Sequence, residues 1–250
     1  MTHSRRAFVR NAALLPAAFA GSVALHSSPA PKPAHVPEQL TVLFQGDSIT
    51  DAGRNRERTQ ANDFGHTGTG YVLLASAALL GTHPETELTS YNRGVSGNKV
   101  YQLAERWQEE ALDLQPDVIS ILIGVNDFWH MLNGKYDGTV DVYRTDLKNL
   151  LQRTKDELPD VKFMLGEPFI IRGGKAVEDA RWANEFPAYQ EAAREVADEF
   201  DTGWVPYQRV FDDALEEAPA AYWGADGVHP SLAGSYRMAQ AWMETFDKLW

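Results

Sequence analysis

Ser48 lies in Gln45-Gly46-Asp47-Ser48-Ile49-Thr50, directly after an apolar run at residues 40–44. A serine hydroxyl is a weak nucleophile near neutrality and needs an adjacent base. Far along the chain, Asp226-Gly227-Val228-His229-Pro230 supplies a histidine with a carboxylate three residues earlier. That spacing lets Asp226 curl back onto the imidazole and hold it in one tautomer. Two further segments offer donors of the kind an oxyanion hole uses: the Gly94 backbone N–H in Asn92-Arg93-Gly94-Val95-Ser96-Gly97-Asn98, and the Asn126 amide in Gly124-Val125-Asn126-Asp127-Phe128-Trp129. Each segment also has a plain structural reading. Ser48 would cap a helix, Gly94 would sit in an ordinary strand-to-helix loop, Asn126 would stabilise a turn, and Asp226 would cap the last helix beside an incidental histidine.

What favours the chemical reading is placement. Short apolar runs at 40–44, 88–92, 118–123, 161–165 and 202–205 predict strands, and the stretches 71–80, 100–112, 140–157, 180–200 and 232–249 predict helices. Strands alternating with helices predict an α/β fold with a parallel sheet covered on both faces. In such a sheet ligands bind beyond the carboxyl ends of the strands. The Ser48, Gly94 and Asn126 segments each follow a predicted strand, and the Asp226–His229 segment precedes the final predicted helix.

Composition narrows the chemistry. The 250 residues hold 35 acidic against 23 basic side chains, a net charge of −12, which disfavours a nucleic-acid partner. There is no cysteine, so disulfides, thiolate metal sites and cysteine nucleophiles are excluded. Residues 1–30 contain Arg5, Arg6 and Arg10, no acidic residue and an alanine-rich apolar run, the pattern of an export signal, with Arg5-Arg6 of the twin-arginine type. Residues 31–37, with Pro31, Pro33 and Pro37, predict a linker, and residues 38–250 a single domain. Export followed by signal removal predicts a periplasmic or secreted protein without a membrane anchor.

The four segments together resemble the SGNH, or GDSL, hydrolase family, whose signature residues match Ser48, Gly94, Asn126 and His229, with Asp226 as the acidic partner. Ile49 replaces the leucine of the name-giving motif. The likeness spans residue 40 to the last helix. It implies a three-layer α/β/α sandwich with a five-stranded parallel sheet of flavodoxin-like order. It also implies a serine esterase in which Ser48 attacks, His229 moves the proton, and Ser48, Gly94 and Asn126 hold the oxyanion, with no metal or organic cofactor. A narrower likeness, carried by residues 46–54 (GDSITDAGR), Gly68-Thr69-Gly70-Tyr71-Val72, residues 92–98 (NRGVSGN), Ala104-Glu105-Arg106-Trp107 and residues 123–129 (IGVNDFW), is to bacterial acetylxylan and xylo-oligosaccharide acetylesterases. It implies an acetylated carbohydrate substrate. Relatives of this kind often self-associate, which extends the expectation of a homo-oligomer.

Trp107, Phe128, Trp129, Trp182, Tyr222 and Trp223 offer flat faces for sugar rings. Trp129 and Trp223 stand nearest the catalytic segments, and His66 and His130 are read as loop residues near the cleft, with His130 a candidate substrate contact. Trp107 falls in a helical pattern and reads as core, and Asp47 and Asp127 read as structural acids beside helix starts. Two other functions use the same residues: a lipolytic esterase, lysophospholipase or thioesterase acting on a long acyl chain, and a carbohydrate-binding protein that has lost its chemistry.

Overall fold

The computed structural model describes residues 36–250, so the proposed export signal and nearly all of the linker lie outside the described residues. Five strands form one sheet: β1 (Gln39–Gly46), β2 (Glu87–Asn92), β3 (Val118–Leu122), β4 (Lys162–Gly166) and β5 (Gly203–Val205). The sheet is wholly parallel, with spatial order β2-β1-β3-β4-β5. This is the flavodoxin-like order, and the topological switch falls at β1 and β3. Both central strands are apolar runs because both their faces are covered; all five residues of β3 are buried.

Among the described residues, twelve α-helices connect and flank the strands. After β1 come α1 (Ser48–Asp51), α2 (Phe64–Thr67) and α3 (Tyr71–Thr82); after β2 come α4 (Val100–Glu105) and α5 (Trp107–Glu110). After β3 come α6 (Val125–Leu132) and α7 (Val140–Glu157), then α8 (Ala180–Asn184) and α9 (Pro187–Glu199) after β4. The chain ends in α10 (Tyr207–Glu217), α11 (Ala220–Trp223) and α12 (Leu232–Phe246). Helix α3 packs on α12 and α10 also meets α12, while α7 packs on α9 and on α4. No helix of the described residues is long and apolar enough to cross a membrane.

The expected strands all form. The expected helix over 100–112 is broken at Arg106, and that over 180–200 is interrupted before Pro187, which opens α9 at its first turn, where its missing N–H costs nothing. Helix α6 lies where the sequence suggested a loop, so Asn126, Trp129 and His130 are helical. Side-chain anchors tie the helices down: the Trp242 indole N–H donates to Ser120 Oγ on β3 (2.9 Å), and the Trp107 indole N–H to Thr154 Oγ1 on α7 (2.9 Å). Trp107 is thus a core residue, with no face for a ligand.

Candidate active site

The carboxyl ends of β1, β2 and β3 converge on one edge of the fold. At the end of β1, Gly46 passes so close to its neighbour that a Cβ there would lie 2.3 Å from the Leu122 carbonyl oxygen and 2.5 Å from Thr50 Oγ1. The chain then turns into α1. Asp47, not Ser48, is the cap: its Oδ1 accepts from the Ile49 N–H (3.0 Å). Ser48 is freed for other work, and its Oγ lies 2.7 Å from His229 Nε2.

His229 is held from behind by Asp226. Oδ2 of Asp226 is 2.7 Å from His229 Nδ1, while Oδ1 accepts from the backbone N–H groups of Val228 (2.9 Å) and His229 (2.8 Å). Burial pushes the Asp226 carboxyl up, but the hydrogen bonds from the His229 ring and the two backbone N–H groups outweigh it and leave the acid below its ordinary range. No strand carries this segment. The N–H groups of Ile171 and Ala176 donate to the Gly227 (2.7 Å) and Asp226 (2.8 Å) carbonyls, so the loop after β4 braces it.

The loop after β2 lies against α1. The Val95 N–H donates to the Gly46 carbonyl (3.0 Å), and the Ser96 N–H and Oγ donate to Asp51 Oδ2 (2.9 and 2.8 Å). The Asn92 amide donates to the Thr50 and Thr67 carbonyls (2.7 and 2.9 Å), and its Oδ1 accepts the Gly94 N–H (2.9 Å). The Gly94 donor therefore already has a partner in the resting protein. Asn126, on the first turn of α6, is buried and donates to the Asn98 carbonyl at 3.3 Å, which leaves its second amide hydrogen for another acceptor. Ser48 N–H has no acceptor among the described residues.

Behind these groups sit two buried carboxyls. Burial raises Asp47 to about 7, against the pull of the Ile49 N–H and of His229. Burial likewise raises Asp127 to about 7, against the pull of the Val100 N–H and with Asp47 adding to the rise. One oxygen of each has no hydrogen-bond partner. Both serve as helix-start acids, as their positions suggested: Asp127 Oδ1 accepts the Val100 N–H (3.3 Å), tying α6 to α4.

A cleft of about 370 Å³ opens beside Ser48 and His229, walled by Ile49, Ala52, Thr69, Gly70, Pro230, Leu232 and Ser235. Leu232 is 74% exposed at its rim. A larger cavity of about 740 Å³ lies among the starts of β4 and β5, at the other end of the sheet, and none of the site residues named above lines it.

Some expectations for ligand contacts are corrected. Trp223 is only 4% exposed; its ring packs against Tyr222 and Arg237, and its indole N–H donates to the Ala218 carbonyl (3.0 Å). It has no open face, and the exposed aromatic of α11 is Tyr222. His130 points its Nδ1 at Lys99 Nζ (3.2 Å), an internal contact, and burial together with Lys99 lowers its proton affinity. His66 lies in α2 rather than in a loop, buried, and its Nε2 accepts the Asn92 N–H (3.2 Å). Burial, with Arg93 nearby, lowers it to about 4, so it serves as a neutral acceptor. Asp63 caps α2 and pairs with Arg58. Trp129 stays half-buried, edge-on to Trp182.

Residues 44–237 match the GDSL-like Lipase/Acylhydrolase family. The chain belongs to this family. It is an SGNH-type serine ester hydrolase, and its fold and sequence relatives agree. An acetylxylan esterase from Geobacillus stearothermophilus is 34% identical over 214 residues, covering 84% of this chain and 94% of that protein. The crystal structure of the Geobacillus acetylxylan esterase Axe2 superposes with a TM-score of 0.73 at 33% identity, over 82% of this chain and 93% of its own. A protein from Parabacteroides merdae, solved as a GDSL-like lipase, is 49% identical with a TM-score of 0.82, over 86% of this chain and 98% of its own.

Proposed function

We propose that this hydrolase removes O-acetyl groups from carbohydrates through an acyl-enzyme. The observation that carries the mechanism is the 2.7 Å contact between Ser48 Oγ and His229 Nε2, with Asp226 fixing the far side of the ring. As Ser48 Oγ bonds to the ester carbonyl carbon, its proton passes to His229 Nε2. Asp226 keeps Nδ1 protonated and stabilises the imidazolium. The oxygen that gains the electron pair is met by the Ser48 N–H and the free hydrogen of the Asn126 amide, with the Gly94 N–H shared between it and Asn92. When the tetrahedral species collapses, the bond to the sugar oxygen breaks and His229 returns the proton to it. Water then repeats the sequence on the acetyl-serine, releasing acetate and restoring Ser48.

The substrate class rests on the likeness to acetylxylan esterases. The cleft agrees with it: it lies on the His229 side of Ser48, where the departing alcohol must sit to receive its proton, and polar Thr69, Ser231 and Ser235 line it with Leu232. The paired arginines Arg5-Arg6 support a site of action outside the cytoplasm.

The test is acetate release from acetylated xylan, acetylated xylo-oligosaccharides and other acetylated glycans, measured beside the 4-nitrophenyl esters of acetate and octanoate. Release from the acetylated sugars with a preference for acetate over octanoate is expected. A preference for octanoate would replace this reading with a lipolytic one.

A further inference from the structure

Arg106 stands at the break between α4 and α5, outside the cleft, yet its guanidinium reaches both ends of the loop that follows β2. Nη1 donates to the Arg93 carbonyl (2.8 Å) and Nε donates to Asn98 Oδ1 (2.9 Å). The first bond matters because the Arg93 carbonyl and the Gly94 N–H belong to one planar peptide unit. Fixing the oxygen fixes the direction of the N–H, and a charged donor on the oxygen polarises the amide so that its hydrogen is a stronger donor. The second bond matters because Asn98 carries the carbonyl that accepts from Asn126 Nδ2 (3.3 Å).

On the reading that Gly94 and Asn126 face the oxyanion, we infer that Arg106 is the positioning residue of the oxyanion hole, setting two donors, one from the loop after β2 and one from α6, with one guanidinium. A planar fork with a fixed angle between its N–H groups can hold both acceptors in register, which a single ammonium cannot. The break in the helix at Arg106 aims the side chain at the loop, and Trp107, locked to Thr154, anchors the residue that follows. Glu110 Oε2 also accepts from Nη1 (2.8 Å), an ion pair made outside the loop. Arg54 adds a related brace, its Nε donating to the Gly94 carbonyl (2.8 Å), but it holds the next peptide unit and does not reach Asn98.

The test is kinetic, with 4-nitrophenyl acetate as substrate so that no sugar contact enters. Arg106→Gln is expected to lower kcat about 10- to 100-fold while KM moves less than about threefold, because the lost interaction is made in the transition state. Arg106→Lys should recover part of the loss, since it can hold one acceptor of the two. Glu110→Gln removes only the ion pair and should keep the wild-type kcat, even if its melting temperature falls. A kcat for Arg106→Gln within about twofold of wild type overturns the inference, as does an equal kcat loss in Glu110→Gln. Asn126→Ala is measured alongside. If it keeps the wild-type kcat, the oxyanion assignment itself fails; if it loses activity while Arg106→Gln does not, Arg106 alone is removed. Should Arg106→Gln not fold, Asn98→Ala cuts the Nε arm with the guanidinium in place, and an unchanged kcat there overturns the inference equally.

Discussion

Asp226 grips His229 twice: Oδ2 meets the imidazole Nδ1, and Oδ1 accepts the backbone N–H of the same residue. Oδ1 accepts the Val228 N–H as well. Two backbone donors thus dictate that an oxygen occupies the Oδ1 position, which determines what any replacement must do.

In Asp226→Asn, those two donors hold the amide oxygen in the Oδ1 place and turn the NH2 toward Nδ1. The ring is then forced into the tautomer with its hydrogen on Nε2, which cannot accept the Ser48 proton. We expect kcat to fall on the order of 10³- to 10⁴-fold with folding retained. Thermal melting and 4-nitrophenyl acetate kinetics check both halves, and Ser48→Ala should lose at least as much activity. A Ser48→Ala protein turning over at the wild-type rate would remove Ser48 from the mechanism.

The buried Asp47 carboxyl should make stability fall as pH rises. Its folded value of about 7 lies above the ordinary 3.8, so between these values the native state holds a proton that the unfolded chain has released. The contribution is present below the unfolded value and is lost as pH rises through about 7. Asp47→Asn keeps an acceptor for the Ile49 N–H and removes the titration. Its melting temperature relative to wild type should therefore improve between about pH 5 and pH 8. Parallel melting curves for the two proteins would mean that Asp47 does not titrate in this window.

Gly94→Ala would place a methyl 2.4 Å from the Asp51 nitrogen and 2.8 Å from the Thr50 carbonyl carbon, both backbone atoms of α1. Neither can retreat without moving Ser48. A destabilisation of about 1–3 kcal/mol is expected in urea unfolding, with a fall in kcat beyond what partial unfolding explains. Wild-type kinetics would show that the two segments move apart at no cost to the chemistry.

Leu232 tests where the alcohol lies. Leu232→Ser removes apolar surface from the rim of the cleft and leaves Ser48 and His229 unsubstituted. KM for acetylated xylo-oligosaccharides should rise several-fold with kcat retained, the signature of lost ground-state binding. An unchanged KM would place the sugar elsewhere.

The strands and the Ser48, Asp226 and His229 positions were legible because each has a local cause. Apolar runs bounded by polar residues announce strands buried on both faces, and an acid three residues before a histidine announces a possible hydrogen bond. Helix α6 was not legible: Gly124-Val125-Asn126-Asp127 has the composition of a turn, and Asp127 gains its helical place by accepting the Val100 N–H from another segment. Helix α10 went unread although one of its faces is buried through Tyr207, Phe211 and Ala214. Sequence proximity to a catalytic residue also says nothing about exposure, which is why Trp223 looked available and is covered. Arg106 stood out only as part of a motif. Its two acceptors in the loop, Arg93 and Asn98, are 13 and 8 residues away, and neither spacing has a signature.

The support beneath His229 differs in kind from that beneath Ser48. Ser48 rides on the central ladder, whereas the Asp226–His229 segment hangs from hydrogen bonds donated by Ile171 and Ala176. Substitutions around 171–176 can therefore re-aim the proton carrier while the nucleophile stays still. That gives an engineer a dial for general-base efficiency remote from the substrate, one that leaves the sheet's architecture alone.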